Sequence, residues 1–252
     1  MRGVVDFGGS GPGIVLLHGL MGRATTWWRT ARWLTSYGHV VGLDARAHGR
    51  NPHRERCDTE QFAQDVADRI VELDLAPALV IGHSMGGLHA VALAAKHPEL
   101  VRGLVVEDMA PDNTDRTVDA WRPYFGSWPS AFTSLAHVRD FFGAAGDYFV
   151  ECVEERDDGY HLIADVDELF EIAAEWGRRD YWHLVEGVRA PVLVVEAGDS
   201  PMPPGQQAEM AARTAGDAWH VRFEGSGHIV HDSAPEEFRG AVEAFLSRVL
   251  GR

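Results

Sequence analysis

Pro77-Ala-Leu-Val-Ile-Gly82-His83-Ser84-Met85-Gly86-Gly87-Leu-His-Ala-Val-Ala-Leu-Ala-Ala95 is an apolar β-branched run, a glycine-flanked serine and then a small-residue helical stretch. The order predicts a strand that turns sharply into a helix with Ser84 at the corner. A turn that tight has no room for neighbouring side chains, and Gly82 and Gly86 remove the Cβ atoms that would clash. Ser84 is then held exposed, with the Met85 NH in the first helical turn, where NH groups lack an intrahelical acceptor. A hydroxyl beside such a donor can attack a carbonyl while the NH receives the oxyanion. Ser84 as the N-cap of an ordinary helix would leave the paired glycines unexplained.

Outward from this corner, short apolar runs recur at Ile14 to Leu17, Val40 to Leu43, Ala78 to Ile81, Leu104 to Val106 and Val192 to Val195. Continuous apolarity bounded by turn residues is the pattern of strands buried on both faces of a parallel sheet. Helical stretches lie between and after them: Thr25 to Tyr37, Thr59 to Leu73, Met85 to Lys96 and Pro235 to Leu250. Strand alternating with helix predicts an α/β fold with a mostly parallel central sheet flanked by helices.

The alternation fails from Pro111 to Gly187, which has no convincing buried strand but holds 14 of the chain's 24 aromatics and a net charge of −11. It reads as an inserted helical cap, 111–187, on a core built from 1–110 and 188–252. Its aromatics, among them Trp121, Trp128, Phe141, Phe142, Tyr148, Trp176 and Trp182, line a pocket or form the cap's own core.

At 252 residues with 45% hydrophobic and 24% charged composition, the chain is an ordinary globular protein. Its formal charge of −15 opposes a nucleic-acid partner, since there is no Lys/Arg excess to neutralise phosphates. The only lysine, Lys96, stands outside any phosphate-binding loop. Cys57 and Cys152 show neither disulfide nor zinc spacing, and His228-x-x-His231 lacks a matching ligand set, so no metal and no organic cofactor is expected. No apolar run is long enough for a membrane span, and the N-terminus lacks an apolar signal region, so the expected location is the cytoplasm. The expected partner is a small molecule; oligomeric state is left open.

Three motifs add a resemblance to the α/β-hydrolase superfamily over nearly the whole chain apart from the cap, and the chain resembles that superfamily's small cap-bearing bacterial serine esterases. Leu16-Leu17-His18-Gly19-Leu20-Met21-Gly22 is similar to that family's HGxxG oxyanion loop, which implies the Leu20 NH as a second oxyanion donor beside Met85. Leu43-Asp44-Ala-Arg46-Ala-His48-Gly49 resembles its D-x-R-x-H-G segment, and Gly225-Ser226-Gly227-His228 stands where the family keeps its catalytic histidine.

A serine hydroxyl needs a base, and imidazole is the usual one. His228 follows the apolar strand Trp219 to Phe223 in a glycine-rich loop and precedes a helix start at Pro235; His231 is the nearest competitor. His18, His48 and His83 read as structural hydrogen-bonders. The orienting acid falls between Ser84 and His228 in the chain. Asp108 ends the strand Val101 to Glu107, and Asp199 ends the run from Val192. The family's acid directly precedes a proline on that second strand, but here Ser200 has that place and Asp199 lies one residue early, which favours Asp108. Glu107 and Glu196 face the opposite way along their strands.

The function implied is hydrolysis of a carboxylic ester or thioester of small to medium apolar acyl or aromatic groups through an acyl-enzyme. The same triad could instead serve C–C hydrolysis, perhydrolysis or lyase chemistry, or the chain could be a non-catalytic ligand-binding protein. The acidic cap argues against polyanionic substrates unless Arg178 and Arg179 offset it locally.

Overall fold

Strands form where the apolar runs stand. The computed structural model describes residues 2–51, 53–114, 116 and 121–251. In chain order the elements are β1 (Val4–Gly8), β2 (Gly13–Leu17), α1 (Trp28–Leu34), β3 (His39–Leu43), α2 (Thr59–Glu72), β4 (Ala78–His83), α3 (Met85–Lys96) and β5 (Val101–Glu107). There follow α4 (Arg122–Gly126), α5 (Leu135–Phe142), α6 (Gly146–Val150), β6 (Val153–Arg156), β7 (Gly159–Leu162), α7 (Val166–Trp176) and α8 (Trp182–Gly187). The chain ends with β8 (Val192–Asp199), α9 (Gln206–Arg213), β9 (Ala218–Gly227), α10 (Val230–Ser233) and α11 (Pro235–Leu250).

Seven strands make one sheet in the order β1-β3-β2-β4-β5-β8-β9, with only β1 antiparallel to its neighbour. β2 and β4 are buried at every residue. Their alternate side chains enter two clusters: Val15, Leu17 and Val80 meet Val66, Ile70 and Val91, whereas Ile14, Leu16, Leu79 and Ile81 meet Trp27, Leu34, Phe238 and Phe245. The period of two thus sends one strand into both layers. α2 starts because the Asp58 side chain accepts the Gln61 NH at 2.8 Å, and its inner face carries Phe62, Val66 and Ile70.

Because β2, β4, β5, β8 and β9 run parallel, their ends share one edge. The register sets Leu17 beside Gly82, His83 beside Glu107 and Glu107 beside Val195. Such an edge is where α/β sheets place their ligand crevice.

Between β5 and β8 the chain leaves the sheet and, among the described residues, adds no strand to it. Residues 115 and 117–120 of the predicted cap lie outside the described residues. The reading of this stretch as helical needs a correction, because β6 and β7 form a hairpin with Asp157-Asp158 as its turn and Gly159 at φ 138°. Its strands of four residues are too short and too exposed for a buried apolar run, so the turn residues were the readable signal. Most of the aromatics pack on one another: Phe142 stacks on Phe149 at 3.8 Å, and Trp128 meets both edge-on. α8 behaves differently, since Leu184 and Val185 join the cluster around α3 under the sheet.

Removing the cap of α2 with Asp58→Ala should lower unfolding free energy by about 1 kcal/mol, whereas Ile70→Ala, emptying a fully buried site, should lower it by about 2–5 kcal/mol; urea unfolding of both variants measures the difference.

Candidate active site

Ser84 sits between β4 and α3 at φ 52° and ψ −118°, in the region that disfavours side chains. The surroundings over-determine it. A Cβ on Gly82 would strike the Gly86 carbonyl, and one on Gly86 would strike the Leu17 carbonyl. The Ser84 NH is held by the Glu107 carbonyl at 2.8 Å, which ties the turn to the end of β5.

The β2–α1 loop closes over this turn. A Cβ on Gly19 would lie 2.6 Å from Nδ1 of His83 and 3.3 Å from the Ser84 Cβ, so glycine is what permits the approach. The loop folds back through Gly22 NH to Gly19 carbonyl at 3.0 Å, with Met21 at φ 68°. Three side chains brace it. His18 contacts the Gly19 carbonyl through Nδ1 at 2.7 Å and accepts the Ala45 NH at Nε2. His48 accepts the Met21 NH at Nε2 and contacts the Arg46 carbonyl through Nδ1. Asp44 accepts the Ala24 and Arg50 NH groups, both at 2.7 Å. Nδ1–H tautomers satisfy both imidazoles without a charge, and burial pushes His48 down to about 3 and lowers His18. Neither the Leu20 NH nor the Met85 NH donates to a protein acceptor among the described residues.

Asp108 follows β5 at φ 42° and is fully buried. Its Oδ2 lies 2.7 Å from Nδ1 of His228, whose side chain keeps 30% exposure. The carboxylate also accepts the Ala197 NH at 3.1 Å, the Ser200 hydroxyl at 2.8 and 2.9 Å and the Gln207 amide at 3.3 Å. Four donors thus converge on one buried carboxylate. Asp199, the alternative acid in the sequence, is not brought to His228: it is exposed at the end of β8, opposite Gly227. The next residue, Ser200, turns inward instead, as a one-residue shift requires. The sequence marks Ser200 as the residue standing in the family's acid position but gives no sign that it donates to Asp108, and nothing in it points to Gln207.

The other candidates have separate partners. His83 donates from Nε2 to the His228 carbonyl at 3.0 Å, its ring 4.6 Å from that of His228, and burial holds its pKa well below the imidazole range. His231 pairs with Glu107, and Glu196 with His220 at 2.7 Å. Arg179 is engaged by Glu60 and Glu175, and Arg178 by the Ala174 carbonyl. No three His, Cys, Asp or Glu residues group as a metal site among the described residues, and among them no helix is long and apolar enough to cross a membrane.

The segment between β5 and β8 covers the edge. Ile172 and Trp176 of α7 join Met85 and Leu20 in one apolar cluster, while Phe132, Tyr148 and Phe149 gather Met21 and Ile229 in another. Thr59, opening α2, bonds to Glu175 through both its NH and hydroxyl, which anchors α7 to the core.

The sequence model of the alpha/beta hydrolase family matches residues 14–241, from β2 into α11. The chain belongs to the alpha/beta hydrolase family. This hydrolase is 28% identical over 240 residues to an Escherichia coli protein described as Esterase YbfF, covering 93% of this chain and 92% of that protein. It is 26% identical to a putative esterase/lipase of Haemophilus influenzae, covering 94% and 84%. Among solved structures it is similar to E-2-(acetamidomethylene)succinate hydrolase, with a TM-score of 0.85 and 23% identity over 97% of this chain and 94% of that one, a likeness of fold.

The lowered histidines fix a pH dependence. Each is neutral when folded but binds a proton near pH 6.5 when unfolded, so the unfolded state gains protons as pH falls and stability is lost from about pH 6.5 downward, by up to about 1.4 kcal/mol per pH unit per histidine. For His48 the loss continues to about 3. Urea unfolding should show this decline, with a shallower slope in His48→Gln.

Proposed function

We propose that this alpha/beta hydrolase cleaves carboxylic esters or thioesters of small to medium apolar acyl or aromatic groups through an acyl-enzyme on Ser84. The observation that carries the reading is the 2.7 Å contact of His228 Nδ1 with the buried, multiply bonded Asp108, beside the Ser84 turn. Asp108 orients the imidazole and stabilises its protonated form, leaving Nε2 to take the Ser84 proton. Ser84 attacks the carbonyl carbon, and the oxyanion is received by the Leu20 and Met85 NH groups, which have no protein acceptor among the described residues to give up. The imidazolium then protonates the leaving alcohol or thiol; water deprotonated by His228 attacks the acyl-enzyme, and the imidazolium returns that proton to the Ser84 oxygen as the acid is released.

The reaction needs no metal or organic cofactor. The apolar side chains of Leu20, Met21, Met85, Ile172 and Ile229 around the edge support an apolar acyl group rather than a polyanion. Relatives described as esterases support the ester bond as the target. We place the protein in the cytoplasm, acting on a free small molecule, with the excursion over the edge as its cap.

Steady-state hydrolysis of p-nitrophenyl esters from acetate to longer chains tests this. Ser84→Ala and His228→Ala should lower kcat by about 10^4-fold or more and Asp108→Asn by about 10^3 to 10^4-fold, while Asp199→Asn should stay within about twofold. Full activity in Ser84→Ala, or collapse in Asp199→Asn with Asp108→Asn unaffected, would overturn the assignment.

A further inference from the structure

Glu107 and His231 form a second carboxylate–imidazole couple directly behind Asp108 and His228. Glu107 immediately precedes Asp108, and His231 lies three residues after His228. The pair is more deeply buried than its neighbour, with 0% and 1% side-chain exposure. Glu107 Oε1 accepts the His231 NH at 2.9 Å, and both carboxylate oxygens lie within 2.9 Å of His231 Nδ1. Trp27 stacks on the imidazole at 4.0 Å, and Nε2 has no protein partner among the described residues. Its orientation therefore comes from Glu107 and from stacking. Burial opposes its charge, but the adjacent carboxylate outweighs that and raises its pKa. The other groups around it are His83 from β4, Tyr148 from α6 and Asp232 beside it on α10.

Stability alone gives little reason to keep such a pair, because well-packed apolar residues of similar volume are commonly as stable as a buried ion pair. Its connections offer a reason. The Glu107 carbonyl holds the Ser84 NH, its carboxylate holds His231, and His83, next to Ser84, holds the His228 carbonyl. These bonds close a triangle among the end of β4, the end of β5 and the segment from His228 to His231.

We propose that Glu107 and His231 are positioning residues that fix the His228 loop against the Ser84 turn, so that the imidazole meets the serine hydroxyl in reacting geometry. The proposal rests on the serine-hydrolase reading above. Small displacements of a catalytic group lower the rate of the chemical step more than they lower binding.

The test compares wild type, Glu107→Gln and the apolar double variant Glu107→Leu/His231→Phe. The readouts are p-nitrophenyl ester kinetics, fluorophosphonate labelling of Ser84 by intact mass, and thermal unfolding. Glu107→Gln should lower kcat and the labelling rate about tenfold with KM within about twofold. The double variant, free of buried charge, should unfold no lower than wild type yet lose more kcat than Glu107→Gln. Double-variant kcat within about twofold of wild type, or a Glu107→Gln loss regained in the double variant, would overturn the positioning role. If the double variant does not fold, the kcat and KM of Glu107→Gln decide. Wild type that the probe fails to label would remove the serine-hydrolase reading and this inference with it; a labelled wild type with unaffected variants would remove the inference alone.

Discussion

Ser84 occupies a left-handed backbone conformation that its side chain disfavours, and much of the site follows from holding it there. The helix after it must start at once, so α3 crosses close enough to β2 that residue 86 can carry no Cβ. The same proximity brings the β2–α1 loop down onto the turn, where Gly19 permits contact. The crossing therefore brings the first residue of α3, Met85, and the β2–α1 loop to the same turn. β5 completes the restraint, because its last carbonyl holds the Ser84 NH.

That dependence explains the ring of buried polar groups around an otherwise apolar edge. A loop folded over a strand end cannot satisfy its backbone through a sheet ladder, so side chains must supply the partners. His18, His48 and Asp44 do so for the loop over Ser84, and His83 does so for the His228 carbonyl. Neutral imidazole suits this work, since one nitrogen accepts while the other donates and no charge is buried. Glu107 and Asp108, in sequence at the end of β5, are each met by an imidazole from the same short segment.

The segment that leaves the sheet after β5 combines two kinds of packing. Its aromatics form a cluster that also takes in Met21 and Ile229 of the core, and Ile172 and Trp176 of α7 reach Leu20 and Met85. α8 then returns to the sheet's own layer before β8 begins. Acidic residues of the segment meet core arginines in the pairs Asp147–Arg29, Glu168–Arg54 and Glu186–Arg213.

The layered fold was legible in the sequence because burial on both faces forces continuous apolar runs, and parallel strands force helices between them; β4 and α3 appear at the residues where the runs place them. The serine turn was legible too, since its glycines are a local steric requirement. The hairpin β6–β7 was not, because short exposed strands leave no apolar run. Nor could the sequence alone place Asp108, rather than Asp199, against His228: both end strands at the same edge, and only the register of β5 and β8 turns one inward and leaves the other in solvent. The pairing of Glu107 with His231, and of Ser200 with Asp108, likewise joins residues more than 90 positions apart, which only the folded sheet brings within hydrogen-bond reach.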